Sequence, residues 1–182
     1  IYNSIREQNK NIYKQIENII KKSSLSRQIH NGFTITIIGK PNTGKSTLGR
    51  YVVNRLLSYQ YANKSYRARL STRNQSGIER VAYMDTDIGQ TEFTPPGFIS
   101  IFILDNSEPM LGPALPHWRK PLLSYFIGDV TPRSFPEMYL AAVKNLLVRY
   151  TNLKVEGHFR IPLVINTMGW VKGMGLDLLN QI

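Results

Sequence analysis

Cysteine is absent from all 182 residues, which excludes disulfides, thiolate metal sites and cysteine catalysis and suits a reducing compartment. Long apolar runs are also missing. The best of them, Phe98 to Leu104, is the size of a strand and falls far short of the roughly 20 residues of a membrane span, so no membrane partner is expected. Glycine and proline are modest at 13 and 10 residues, which excludes collagen and low-complexity repeats. Acid is scarce in the first part of the chain. Residues 1–80 hold 3 Asp/Glu against 15 Lys/Arg, whereas residues 81–182 hold 9 against 8. The chain opens at Ile1 without a Met or a signal-peptide pattern, and a longer parent is expected.

What is present fits one compact domain, or one domain with a short appendage. Hydrophobic residues make up 42% of the chain, enough for a substantial core and too many for intrinsic disorder. The net charge of +11 is concentrated before residue 81. Such a one-sided basic surface meets a polyanion or simply stays solvated.

Residues 1–22 space Ile5, Ile12, Ile16, Ile19 and Ile20 as an amphipathic helix. Phe33 to Ile38 is β-branched and apolar, as a buried parallel strand should be. A Gly-rich loop and a predicted helix over Thr47–Tyr59 follow. Residues 60–80 read as a basic excursion with Tyr61 and Tyr66 between Lys64, Arg67, Arg69, Arg73 and Arg80. Further strands are predicted at Val81–Met84, Phe98–Leu104, Leu122–Ile127 and Ile161–Ile165, with helices at Phe135–Tyr150 and from Gly175 onward. Alternation of strands and helices predicts an α/β fold, a mostly parallel sheet covered by helices on both faces.

Gly39-Lys40-Pro41-Asn42-Thr43-Gly44-Lys45-Ser46 matches the phosphate-loop pattern G-x-x-x-x-G-K-[ST] between a strand and a helix. The glycines let backbone N–H groups turn in around phosphate oxygens, and the helix N-terminus adds its positive end. Lys45 supplies a point charge to the outer phosphates, and Ser46 offers a hydroxyl to Mg²⁺. The plain alternative is a capping loop with a surface lysine. Asp85-Thr86-Asp87-Ile88-Gly89-Gln90 closes the second predicted strand, on the side of the sheet where ligands collect. One acid there can serve a metal or its waters and the other can accept a proton from an attacking hydroxyl. Otherwise they cap a loop.

The N-K-x-D pattern that specifies guanine is absent, since Asn63-Lys64-Ser65-Tyr66 lacks the acid. His30, His117 and His158 lack metal-ligand spacing. Trp170 follows the fifth strand on the ligand side and can stack on a base, or else packs in the core. Thr131 follows the fourth strand by the same logic and places a hydroxyl beside the ligand, or else only opens a turn.

Three further stretches carry a resemblance: Thr91-Glu92-Phe93-Thr94-Pro95-Pro96-Gly97, Ser107-Glu108-Pro109-Met110-Leu111-Gly112-Pro113, and Asn166-Thr167-Met168-Gly169-Trp170-Val171. With the phosphate loop and Asp85–Gln90, in this order, they resemble the polynucleotide 5′-hydroxyl-kinase family of RNA processing. The Thr-Glu-Phe-Thr-Pro-Pro-Gly run looks like its nucleolar branch, which works on precursor ribosomal RNA. The resemblance covers about residues 32–182, leaving 1–31 as an N-terminal helical segment.

It implies transfer of the ATP γ-phosphate to the 5′-hydroxyl of RNA in the nucleolus, with Mg²⁺ and a partner endoribonuclease. Gly39, Pro41, Asn42, Thr43, Gly44, Lys45, Ser46 and Thr47 would hold the nucleotide, and Ser46 and Asp85 would serve the metal. Lys45 would stabilise the moving phosphoryl group and Asp87 would accept the hydroxyl proton. Thr131, Trp170 and Gln90 would meet the substrate, with Trp170 stacking on a terminal base. Family members continue into a lid bearing arginine, expected beyond Ile182. Two other readings stay open: a nucleotide-bound structural subunit of an RNA-processing complex, and a small-molecule kinase or ATPase of the same fold.

Overall fold

The computed structural model describes residues 33–62, 78, 80–105, 107, 110, 118–153 and 161–182. The predicted segment 1–31, most of the basic excursion, and all three histidines lie outside the described residues. Five strands and three helices follow in the order β1 (Thr34–Ile37), α1 (Lys45–Ala62), β2 (Arg80–Asp85), β3 (Phe98–Asp105), β4 (Leu123–Phe126), α2 (Pro136–Thr151), β5 (Leu163–Asn166) and α3 (Met174–Leu179).

They form one sheet in the order β1-β5-β2-β3-β4. β1, β5 and β2 are mutually parallel, whereas β3 is antiparallel to both β2 and β4. Four strands thus point one way and β3 points back, which gives the expected mostly parallel sheet. Alternation of strands with helices is looser than predicted, because only α1 and α2 lie on crossovers between parallel strands. A parallel return needs a crossover of a dozen or more residues, usually helical. The links from β2 to β3 and from β3 to β4 contain no described helix, and β3 runs antiparallel.

Period-two alternation splits the buried side chains between two faces. Val81, Tyr83, Phe102, Leu104 and Val164 join Val52, Val53, Leu56 and Leu57 of α1 in one core. Ala82, Met84, Ile99, Ile101, Leu163 and Ile165 meet Tyr139, Val143 and Leu146 of α2 and Leu178 and Leu179 of α3 in the other. Helices therefore cover both faces, as expected. The loops after β1, β2, β4 and β5 all leave the same end of the sheet, and three of them carry predicted site residues with the phosphate loop as the fourth.

Candidate active site

The phosphate loop leaves β1 and winds into α1. Asn42 has φ of 60° and Gly44 has φ of 88°, left-handed conformations that asparagine tolerates and glycine adopts freely. The Thr43 hydroxyl donates to the Lys40 carbonyl at 2.7 Å and closes the loop on itself. A side chain at Gly39 would crowd that hydroxyl, its Cβ only 3.1 Å from Thr43 Oγ1. The first backbone bond of α1 runs from the Leu48 N–H to the Gly44 carbonyl at 2.9 Å. The N–H groups of Lys45, Ser46 and Thr47 precede that ladder, which is the arrangement that receives phosphate oxygens.

Lys45 is 9% exposed. Its Nζ lies 3.1 Å from Asp87 Oδ2 and also donates to the Thr167 carbonyl at the end of β5. Asp87 Oδ1 accepts the Gln90 N–H at 3.2 Å. One carboxylate thus faces the loop lysine while ordering its own turn.

Asp85 behaves differently. It is 2% exposed, and three protein donors occupy its oxygens. The Asp87 N–H (3.3 Å) and Asn166 Nδ2 (3.0 Å) reach Oδ1, and the Glu92 N–H (2.6 Å) reaches Oδ2. Burial pushes its carboxyl up to about 7, against the opposing pull of the Glu92 N–H and the Asn166 amide. The sequence reading has Asp85 serving a metal or its waters. Asp85 is buried with its oxygens engaged by protein donors, and Asp87 is the acid among the residues that line the cleft.

A cleft of about 580 Å³ brings Asp87, Gln90, Thr131 and Trp170 together, and of the expected phosphate-loop residues only Pro41 lines it. Lys40 and Pro41 come from the phosphate loop, Asp87 and Gln90 from the loop after β2, Thr131 from the loop after β4, and Trp170 and Lys172 from the loop after β5. Asp87, Gln90, Thr131 and Trp170, distant in sequence and all expected at the site, share this one wall. Trp170 is half-buried and also packs on the core beneath α2 and α3, so its core and cleft readings both hold. Pro41 lies against Gly169, where an added Cβ would stand 2.6 Å from Pro41 Cγ and 2.8 Å from its nitrogen.

Among the described residues no group of three or more His, Asp or Glu could hold a metal ion. Magnesium with a nucleotide does not need one, because it keeps waters and phosphate oxygens and takes only one or two protein ligands. The Ser46 hydroxyl and one carboxylate of the Asp85–Asp87 turn would make a donor set of that kind.

Sequence reasoning missed the scaffold behind the acids. Arg50, on α1, grips Glu92 through two bonds, Nε to Oε1 at 2.6 Å and Nη2 to Oε2 at 2.8 Å. Both side chains are largely sheltered. The N–H of that same Glu92 holds Asp85. Phe93, the next residue, packs edge-on against Tyr83 and Phe102. The run Thr91–Gly97 therefore anchors the turn that presents Asp87. Its signal was in the sequence, as an acid and an aromatic side by side after a strand end. Met110 is tied to α1 by reciprocal bonds with Asn54, at 2.8 and 2.9 Å, so it too is scaffold.

Residues 68–182, more than half of the chain, match the family described as mRNA cleavage and polyadenylation factor CLP1 P-loop. The chain belongs to this CLP1 P-loop family. It is 38% identical over 154 residues to the polynucleotide 5′-hydroxyl-kinase nol9 of Dictyostelium discoideum, covering 84% of this chain and 20% of that protein. It is 39% identical over 149 residues to the NOL9 kinase of Arabidopsis thaliana (80% and 36%) and 37% identical over 145 residues to that of Homo sapiens (80% and 17%). The chain thus spans between about a sixth and just over a third of these relatives. The solved wild-type Clp1p–Pcf11p complex superposes with a TM-score of 0.60 at 20% identity, over 93% of this chain and 39% of that one, which establishes the shared fold. These relatives carry the name that the sequence resemblance implied.

Proposed function

We propose that this chain is the nucleotide-binding and phosphoryl-transfer unit, residues 32–182, of a polynucleotide 5′-hydroxyl kinase that phosphorylates RNA in pre-rRNA processing in the nucleolus, alongside a partner endoribonuclease. One observation supports the reading: the cleft that holds the acid facing the phosphate-loop lysine is also lined by a half-buried tryptophan from the loop after β5. A nucleotide-only ATPase has no use for that acid and that ring together. The kinases named among the relatives support the same reading.

In this reading Gly39 to Thr47 cradle the ATP phosphates, and Lys45 leaves Asp87 to neutralise the moving phosphoryl group. Asp87, released from the lysine, accepts the proton of the 5′-hydroxyl as its oxygen bonds to the γ-phosphorus and the bond to the departing ADP breaks. Ser46 would hold magnesium, which would supply charge neutralisation to the phosphates when bound with ATP, and Asp85 would fix the turn beside it. Thr131 and Gln90 orient the acceptor sugar, and Trp170 carries its base. A loose phosphoryl-transfer transition state needs positioning and charge neutralisation more than covalent help.

The full chain of the protein should label a 5′-hydroxyl RNA oligonucleotide from γ-labelled ATP. Labelling of DNA and nucleoside acceptors in parallel defines the substrate class. Robust ATP hydrolysis with no labelled polynucleotide would overturn the assignment.

A further inference from the structure

Arg133 stands at the rim of the cleft with its guanidinium carbon 5.1 Å from the centroid of the Trp170 ring. An Asp-centred turn puts it there. Asp129 Oδ1 accepts the N–H groups of Val130 (2.6 Å) and Thr131 (3.3 Å), and Oδ2 accepts the Ser134 hydroxyl at 2.7 Å. The Arg133 N–H donates to the Thr131 hydroxyl at 3.4 Å. One turn thus carries Thr131, which lines the cleft, and Arg133, which covers the tryptophan.

Among the described residues no carboxylate pairs with Arg133. Asp129 is committed to the turn, and Asp87, the acid lining the cleft, faces Lys45. A guanidinium lying over an aromatic ring still has N–H donors on its edge, and that planar fork fits phosphate oxygens. Lys40 and Lys172 add positive charge along the same cleft. The chemistry that fits this rim is a flat ring followed by an anion. A nucleoside offers only the ring, whereas a polynucleotide offers both.

We infer that Arg133 is a phosphodiester-binding residue, held over the Trp170 ring, that makes the cleft prefer a single-stranded polynucleotide to a single nucleoside. The inference rests on the reading of Trp170 as a base platform. An arriving terminal base takes the ring face that the Arg133 guanidinium covers, and the displaced guanidinium takes the first internucleotide phosphate. A longer acceptor thereby gains a contact that a nucleoside lacks.

The test is tryptophan fluorescence of the full chain. In these 182 residues Trp118 and Trp170 are the only tryptophans, so the change in signal between the Trp118→Phe variant and the same protein lacking Trp170 isolates the ring of interest. The Trp118→Phe protein is titrated with a 5′-hydroxyl decaribonucleotide and with adenosine across a range of KCl. Arg133→Gln should weaken the decamer about tenfold, a single charge-assisted contact, and adenosine by less than twofold. The salt slope for the decamer should fall by about 0.7, the value for one phosphate on a single strand. Arg133→Lys should restore most of that slope. Equal loss on both ligands, or loss on neither, overturns the inference. If the unaltered chain binds no decamer, the polynucleotide reading itself fails, a result distinct from a decamer that binds regardless of residue 133.

Discussion

The Lys45 ammonium and the Asp87 carboxylate sit 3.1 Å apart across the phosphate loop, with the lysine held on its other side by the Thr167 carbonyl. In this arrangement the lysine occupies the acid that the proposed chemistry needs free. In the proposed reaction an arriving triphosphate would offer Lys45 stronger acceptors and so set Asp87 loose. Lys45→Ala should therefore abolish labelling of 5′-hydroxyl RNA. Asp87→Asn should lower the rate by about 10²–10⁴, the worth of a positioned general base, in a domain that still folds. Near-normal labelling by Asp87→Asn would remove that residue as the base.

Arg50 and Glu92 form a sheltered, two-bonded pair between α1 and the loop that carries the acids. Removing one partner leaves a charge stranded, at a cost of about 3 kcal/mol. Arg50→Ala should show this loss in urea unfolding, and Arg50→Met combined with Glu92→Leu should recover a good part of it. If Arg50→Ala unfolds at the same urea concentration as the parent, the pair is not a structural tie.

Asp85 gives a pH signature. Its carboxyl is raised from 3.8 to about 7, chiefly by burial. Between those values the folded chain keeps a proton that the unfolded chain releases, so stability falls as pH rises through that window. Below it both states are protonated and above it both are charged. Among the described residues the buried Asn166 Oδ1 has no partner, and a turned amide would let it accept from the protonated acid. Thermal midpoints of the parent minus those of Asp85→Asn should decline from pH 4 to pH 7 and then level off. A difference that rises over that range would reverse the sign and refute the raised value.

Trp170→Ala should weaken use of RNA more than binding of ATP, measured as KM for the oligonucleotide against Kd for the nucleotide. Some loss of stability accompanies it, because the ring packs on the core and lies where a side chain at Gly175 would fall. Trp170→Phe keeps a π-face and should retain more RNA binding than Ala does. Equal losses for RNA and ATP would make the ring purely structural.

The strand, loop and helix around Lys45 were legible because local rules fix all three: a β-branched run, glycines where the turn needs them, and amphipathic spacing. The positions of Asp87, Gln90, Thr131 and Trp170 followed from one topological rule about strand ends. The direction of β3 was not read, although the stretch Asp87–Gly97, with its paired prolines, has no helical pattern to carry a crossover. The Arg50–Glu92 and Arg133–Trp170 pairings join residues 42 and 37 positions apart, and no local pattern marks such partners. Burial of Asp85 was equally hidden, since two acids spaced by one residue look alike in sequence and only the packing of Asn166 and Glu92 tells them apart.

The bare α-carbon at position 169 lets Pro41 rest directly on the turn that bears the tryptophan. Two strands meet at that seam, β1 running into the phosphate loop and β5 into the turn that bears Trp170. A bulkier residue at 169 would push the two loops apart, so a single bare α-carbon sets how far one stands from the other.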